Sequence, residues 1–163
     1  MLEQIMERRN MEKALLQVER NKGAGGVDGM QTDVLRDYLN THYQQLRQQV
    51  ISGNYQPSAV RKVTIPKANG GERMLGIPTV IDRLLQQAIS QWLSQFYETN
   101  FCAFSFGFRP NKDAHQAVQQ AQTFLNEGKV YVVELDLEKF FDTVNRDKLM
   151  NLLMRKVSDK GTL

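Results

Sequence analysis

Asp136 closes the run Val130-Tyr131-Val132-Val133-Glu134-Leu135, and Leu137-Glu138-Lys139-Phe140-Phe141-Asp142 follows it. The run is apolar and β-branched, which predicts a buried strand ending on a carboxylate that a core does not hold without a partner. An Asp in that position serves as a metal ligand, or as a turn former or helix N-cap. A second chemical feature is cationic. Residues 1–55 carry seven basic and seven acidic side chains and residues 84–163 carry nine of each. Residues 56–83 hold Arg61, Lys62, Lys67, Arg73 and Arg83 against Glu72 and Asp82, so the net charge of +3 resides there. Such a patch is either a solvated hairpin tip or a surface for phosphate oxygens.

These residues need elements to position them. Strand-like runs at 60–65 and 72–77 flank Pro66-Lys67-Ala68-Asn69-Gly70-Gly71, which predicts a β-hairpin with Lys67 at its tip. Asn10 predicts a helix cap, with Ala14, Leu15 and Val18 inward and an end at Asn21-Lys22-Gly23. Thr32 predicts a second helix burying Val34, Leu35, Tyr38 and Leu39, a break near Asn40-Thr41, and a third helix with Leu46, Val50 and Ile51. From Thr79, Ile81, Leu84, Leu85, Ala88, Ile89, Trp92, Leu93 and Phe96 recur at helical spacing over a wide buried face. A further helix from Asn111 is expected to bury Ala114, Ala117, Val118, Ala121, Phe124 and Leu125 before Gly128, and Asn145 to cap a last one with Leu149, Leu152 and Leu153.

With 163 residues, 41% of them hydrophobic, the chain can bury a core as one domain or as one domain plus part of another. Cys102 is the single cysteine, so no internal disulfide forms, and His42 and His115 have no second ligand at metal spacing. No apolar run approaches the roughly 20 residues that span a bilayer. The protein is expected to be soluble and cytoplasmic.

Four segments in order carry a resemblance: Asn21-Lys22-Gly23-Ala24-Gly25-Gly26-Val27-Asp28-Gly29; Ile65-Pro66-Lys67 through Arg73-Met74-Leu75-Gly76-Ile77-Pro78-Thr79; Ser105-Phe106-Gly107-Phe108-Arg109-Pro110; and Asp136-Leu137 to Phe140-Phe141-Asp142. Together they are similar to the group II intron-encoded reverse transcriptase/maturases, and they cover nearly the whole chain from about residue 10. The resemblance implies an α+β fold: a polymerase right-hand fingers subdomain of β-hairpin and helices, plus the first part of the palm. It divides the chain into an N-terminal helical extension (1–55), fingers (56–128) and the start of a truncated palm (129–163).

The same resemblance implies RNA-directed DNA polymerisation, with Asp136 as the catalytic metal ligand and the Leu137 carbonyl as an accessory ligand for Mg²⁺, or Mn²⁺. Lys67 and Arg73 match the two fingers cations that hold the triphosphate of a dNTP. Phe141 matches the aromatic beneath the incoming sugar, where it would exclude a ribose 2′-OH. Asp142 is expected to cap backbone N–H groups or anchor a basic residue rather than bind metal, and Phe140 to point into the core. Arg61, Lys62, Gly107, Arg109 and Lys112 are expected to meet nucleic acid, the partners being intron RNA template and DNA primer. The glycine loop is either a phosphate nest or a helix connector.

The chain departs from the family's commonest form at Arg146, where His is frequent, and at Asn111-Lys112, where Gly-Arg is frequent. No Asp-Asp pair is present, so the second part of a two-metal site is missing and the chain is expected to be an inactive fragment. Uncovered apolar surface on the last helix would favour self-association. The alternative function is a non-catalytic RNA-binding maturase module assisting splicing; the glycine block argues against retron or diversity-generating lineages.

Overall fold

The computed structural model describes residues 1–66, 68 and 70–157. They fall into two compact units, residues 1–94 and residues 95–157. The first is a helical body with a projecting two-stranded ribbon. A short α1 (Leu2–Ile5) leads into α2 (Arg8–Asn21), a 3₁₀ turn (Thr32–Val34), α3 (Leu35–Ile51), strands β1 (Arg61–Pro66) and β2 (Glu72–Ile77), and α4 (Val80–Tyr97). Its core gathers one stripe from each helix: Ile5 and Met6, then Met11, Ala14, Leu15 and Val18, then Leu35 and Leu46, then Val80, Leu84, Leu85, Ala88 and Trp92. The expected inward positions of α2 are all buried, and Trp92 lies in the core.

Asn10 does not cap α2, whose N-cap is Glu7. It sits inside the helix and ties it to its neighbours: its side-chain amide donates to the carbonyls of Ile5 (2.7 Å) and Ala88 (3.1 Å), and its Oδ1 accepts from Gln91 Nε2 (2.7 Å). Lys22, left-handed at φ 43°, ends α2. The break expected at Asn40-Thr41 is absent and α3 runs through it. Neither residue is a strong breaker, and packing of Leu35 and Leu46 on the same body keeps the helix continuous. Val34 stays about half exposed, in the 3₁₀ turn rather than on a core face. Arg36 clamps α3 to α2, forking to Glu19 (2.9 and 3.1 Å) and reaching Glu12 (2.9 Å).

The glycine loop between α2 and the 3₁₀ turn is explained by close packing. A Cβ on Gly26 would stand 2.7 Å from Thr79 Cα, one on Gly25 would stand 2.6 Å from the Met30 carbonyl oxygen, and one on Gly23 would meet the Arg83 guanidinium at 2.1 Å. Arg83 donates to the Ala24 carbonyl at 2.8 Å, so the loop is held against the start of α4.

In the second unit, a 3₁₀ turn (Glu98–Asn100) precedes an aromatic loop, then α5 (Ala114–Asn126), α6 (Phe140–Thr143) and α7 (Arg146–Met154). Asp113, not Asn111, caps α5 by accepting from the Gln116 N–H (2.9 Å), and Asn145 caps α7 through the Lys148 N–H (2.9 Å). Asn111 lies outside the helix at φ 59°, in the left-handed region that Asn tolerates better than most residues. The expected buried face of α5 is not buried: Val118 is 67% and Leu125 53% exposed. Residues 130–136 form no strand, and their apolar side chains are exposed, from 69% at Val130 to 96% at Tyr131. β-structure requires a neighbour for its backbone N–H and C=O groups, and no described strand offers one here. The fold class is α+β, with mixed helices and one small antiparallel sheet.

Candidate nucleotide and nucleic-acid site

The ribbon pairs Arg61 with Ile77, Lys62 with Gly76, Thr64 with Met74 and Ile65 with Arg73. Directly opposed residues share a face and successive residues alternate. Arg61 and Arg73 therefore lie on one face, separated by four residues of rise, about 13 Å, and Lys62 lies on the other. Sequence alone groups Arg61 with Lys62; the register separates them. All three are exposed and none has an ion pair or hydrogen bond through its side chain among the described residues. Lys67 lies outside the described residues.

The stem of this ribbon is fixed by a buried carboxylate at the start of α4. Asp82, 4% exposed in the first turn of α4, accepts from Tyr55 Oη (2.7 Å), the Ser58 N–H (3.2 Å) and Thr79 Oγ1 (2.6 Å). Its own N–H donates back to Thr79 Oγ1 (3.1 Å), closing a reciprocal cap. Ser58 leads into β1 and Thr79 follows β2, so both ends of the ribbon converge on one side chain. Burial first, then the hydrogen bond to Asp82, raises the Tyr55 phenol far above the ordinary tyrosine value.

In the second unit, Arg109 is committed internally. Its Nε and one terminal nitrogen donate to Glu98 Oε1 (2.9 and 2.6 Å), that nitrogen also reaches the Glu98 carbonyl (3.4 Å), and the other donates to the carbonyls of Cys102 (2.7 Å) and Ser105 (2.9 Å). All five N–H donors are thereby engaged, and the guanidinium lies 5.2 Å from the Phe101 ring centre. Arg109 shapes the 98–110 loop and has no donor free for a phosphate in this conformation. Lys112 sits 5.1 Å from the Phe106 ring centre. Gly107 has open space where a Cβ would be, so no contact of the described chain explains the glycine.

Asp136 is exposed and its carboxylate makes no hydrogen bond or ion pair among the described residues. Leu137 is 70% and Phe141 90% exposed, with Phe141 edge-on to Phe140 at 5.6 Å between ring centres. Phe140 is 48% exposed rather than in a core, as the apolar segment before it is also exposed. Among the described residues Asp142 neither caps nor pairs through its side chain, and its N–H donates to the Lys139 carbonyl (2.9 Å). No group of three or more His, Cys, Asp or Glu side chains among the described residues could hold a metal ion. No helix of the described residues is long and apolar enough to cross a membrane.

Residues 65–159, from the end of β1 onward, match the family model described as reverse transcriptase (RNA-dependent DNA polymerase). The chain belongs to the reverse transcriptase family. Protein YkfC of Escherichia coli is 39% identical over 145 residues, covering 85% of this chain and 38% of that protein. The group II intron-encoded protein LtrA of Lactococcus lactis is 33% identical, covering 85% of this chain and 23% of that protein. A putative COX1/OXI3 intron 2 protein of Saccharomyces cerevisiae is 29% identical, covering 84% of this chain and 16% of its own length. The likeness to group II intron-encoded reverse transcriptase/maturases read from the four motifs is therefore shared with proteins named for such introns. The chain spans less than two fifths of the length of these relatives. Reverse transcriptases as a family work with divalent metal ions, RNA templates and nucleotide substrates.

Proposed function

We propose that this chain supplies the fingers and the first part of the palm of the RNA-directed DNA polymerase of a mobile group II intron. The supporting observation is the family match over 65–159, which takes in the ribbon cation Arg73 and the exposed carboxylate of Asp136, unpartnered among the described residues. On this reading, residues 1–55 are an N-terminal extension, 56–128 the fingers, and 129–163 the start of the palm of a cytoplasmic enzyme. Arg73, with Lys67, grips the triphosphate of a dNTP: the guanidinium offers a planar fork, the ammonium a compact charge. Asp136 and the Leu137 carbonyl are hard oxygen donors suited to Mg²⁺, with Mn²⁺ a substitute, and further ligands are needed to complete the site. The ion, when bound, supplies charge neutralisation at the triphosphate and activation of the primer 3′ oxygen. Phe141 lies under the sugar, while Arg61, Lys62, Gly107 and Lys112 face RNA template and DNA primer. Arg109 positions that loop rather than touching phosphate.

The chain by itself is inactive on this reading, and its exposed Leu149 and Leu152 favour self-association. A splicing role through RNA binding alone is compatible with the same surfaces, and a nuclear intron maturase of Arabidopsis thaliana is among the relatives, 28% identical over 86 residues. The test is made in the full-length protein by primer extension on an RNA template with Mg²⁺. Asp136→Ala abolishes extension and leaves intron RNA binding near wild type, and Phe141→Ala raises ribonucleotide incorporation roughly ten- to a hundredfold. Extension surviving in Asp136→Ala, or an unchanged sugar preference in a folded Phe141→Ala protein, would overturn the assignments.

A further inference from the structure

Phe108 combines three properties that do not serve the described chain. The residue is fully exposed, at 111% the highest of the large apolar residues among those described. Its backbone is left-handed at φ 55°, a conformation bulky L-residues seldom take, and one that marks functional sites when nothing local repays it. Its predecessor Gly107 has open space at the Cβ position, so the backbone there can be approached closely. The loop that carries the ring is nonetheless fixed, because the neighbouring Arg109 spends all five donors on Glu98, Cys102 and Ser105. A ring held outward on braced backbone loses little freedom on binding.

The surroundings indicate what the ring meets. Within residues 101–112, Arg109 is paired with Glu98, while Lys112 makes no ion pair among the described residues. An exposed aromatic face in a loop that also carries an unpaired lysine suits a base stacked beside its phosphate. We propose that Phe108 is a stacking platform for an unpaired base of single-stranded nucleic acid. This rests on the polymerase reading and deepens it, naming a contact that motif comparison leaves unassigned.

The experiment uses the 163-residue chain and a short single-stranded RNA carrying 2-aminopurine, followed by anisotropy and by quenching of the fluorescent base at low salt. Wild type binds with quenching. Phe108→Ala loses the quenching and weakens binding about tenfold, the lower part of the range for one stacked base. Phe108→Trp keeps both properties, and Phe108→Leu, apolar but without a π face, behaves as Phe108→Ala. Thermal unfolding is the same for all, since Phe108 is fully exposed among the described residues. Wild-type quenching in Phe108→Ala, wild-type affinity in Phe108→Leu, or a lowered Tm in Phe108→Ala would each overturn the stacking role. If wild type binds RNA in a salt-dependent way but insensitively to Phe108, the stacking inference alone fails; if wild type binds no RNA at all, the nucleic-acid reading of this loop fails with it.

Discussion

Tyr55→Phe is the sharpest probe of how the ribbon is anchored. The substitution removes one hydroxyl and keeps the ring, so Asp82 loses its 2.7 Å partner and retains those from Ser58 and Thr79. A hydrogen bond to a carboxylate contributes about 1.5–3 kcal/mol, and partial exposure of Tyr55 places the expected loss near the lower end, about 1–2 kcal/mol. For a unit of this size each kcal/mol lowers Tm by roughly 4–8 °C. A second signature is alkaline. Burial and the Asp82 hydrogen bond raise the folded-state phenol pKa, so the unfolded chain releases its proton first, near pH 10. The stabilisation is complete below that pH and is lost as pH rises beyond it. At pH 11 the loss from a fully shielded phenol would be about 1.4 kcal/mol, and solvent screening reduces this to roughly 0.5–1 kcal/mol. Phenylalanine cannot ionise, so the variant's stability declines less between pH 10 and 11. The assay is urea unfolding of both proteins at pH 7, 10 and 11. A variant as stable as wild type at pH 7 with an unchanged alkaline decline would show that Tyr55 does not hold the stem.

Gly26→Ala places a methyl 2.7 Å from Thr79 Cα, against backbone that cannot swing away, and is expected to cost about 1–3 kcal/mol by urea unfolding. Gly107→Ala meets open space and leaves stability unchanged while weakening RNA binding; equal losses of stability at the two sites would refute the packing account. Arg109→Lys has three donors for the acceptors that five now serve and is expected to destabilise the 98–110 loop by about 2–3 kcal/mol, the lower range because Glu98 is partly exposed. Faster proteolysis within that loop, with the first unit's unfolding unchanged, is the expected reading.

Local signals in the sequence determine much of this protein. The turn chemistry at 66–71 yields a hairpin, the stripe of α2 and the inward positions Leu84, Leu85, Ala88 and Trp92 yield the core, and Asn145 caps α7 because these depend on nearest neighbours and period. The four motifs likewise carry the family by residue type and order. Tertiary structure decided what depends on a partner distant in the chain. Val130 to Leu135 has the composition of a buried strand, yet a strand exists only where another pairs with it, and none of the described ones does. Ala114 to Leu125 has an amphipathic helical pattern, yet burial needs an opposing surface. Arg109 has the chemistry of a phosphate ligand, and only the fold shows its five donors already taken. Strand register put Arg61 with Arg73 and turned Lys62 away, and three-dimensional proximity brought Tyr55 and Ser58 onto the local Thr79–Asp82 cap. Periodicity specifies which face a residue takes on its own element; what that face meets is set by the rest of the chain.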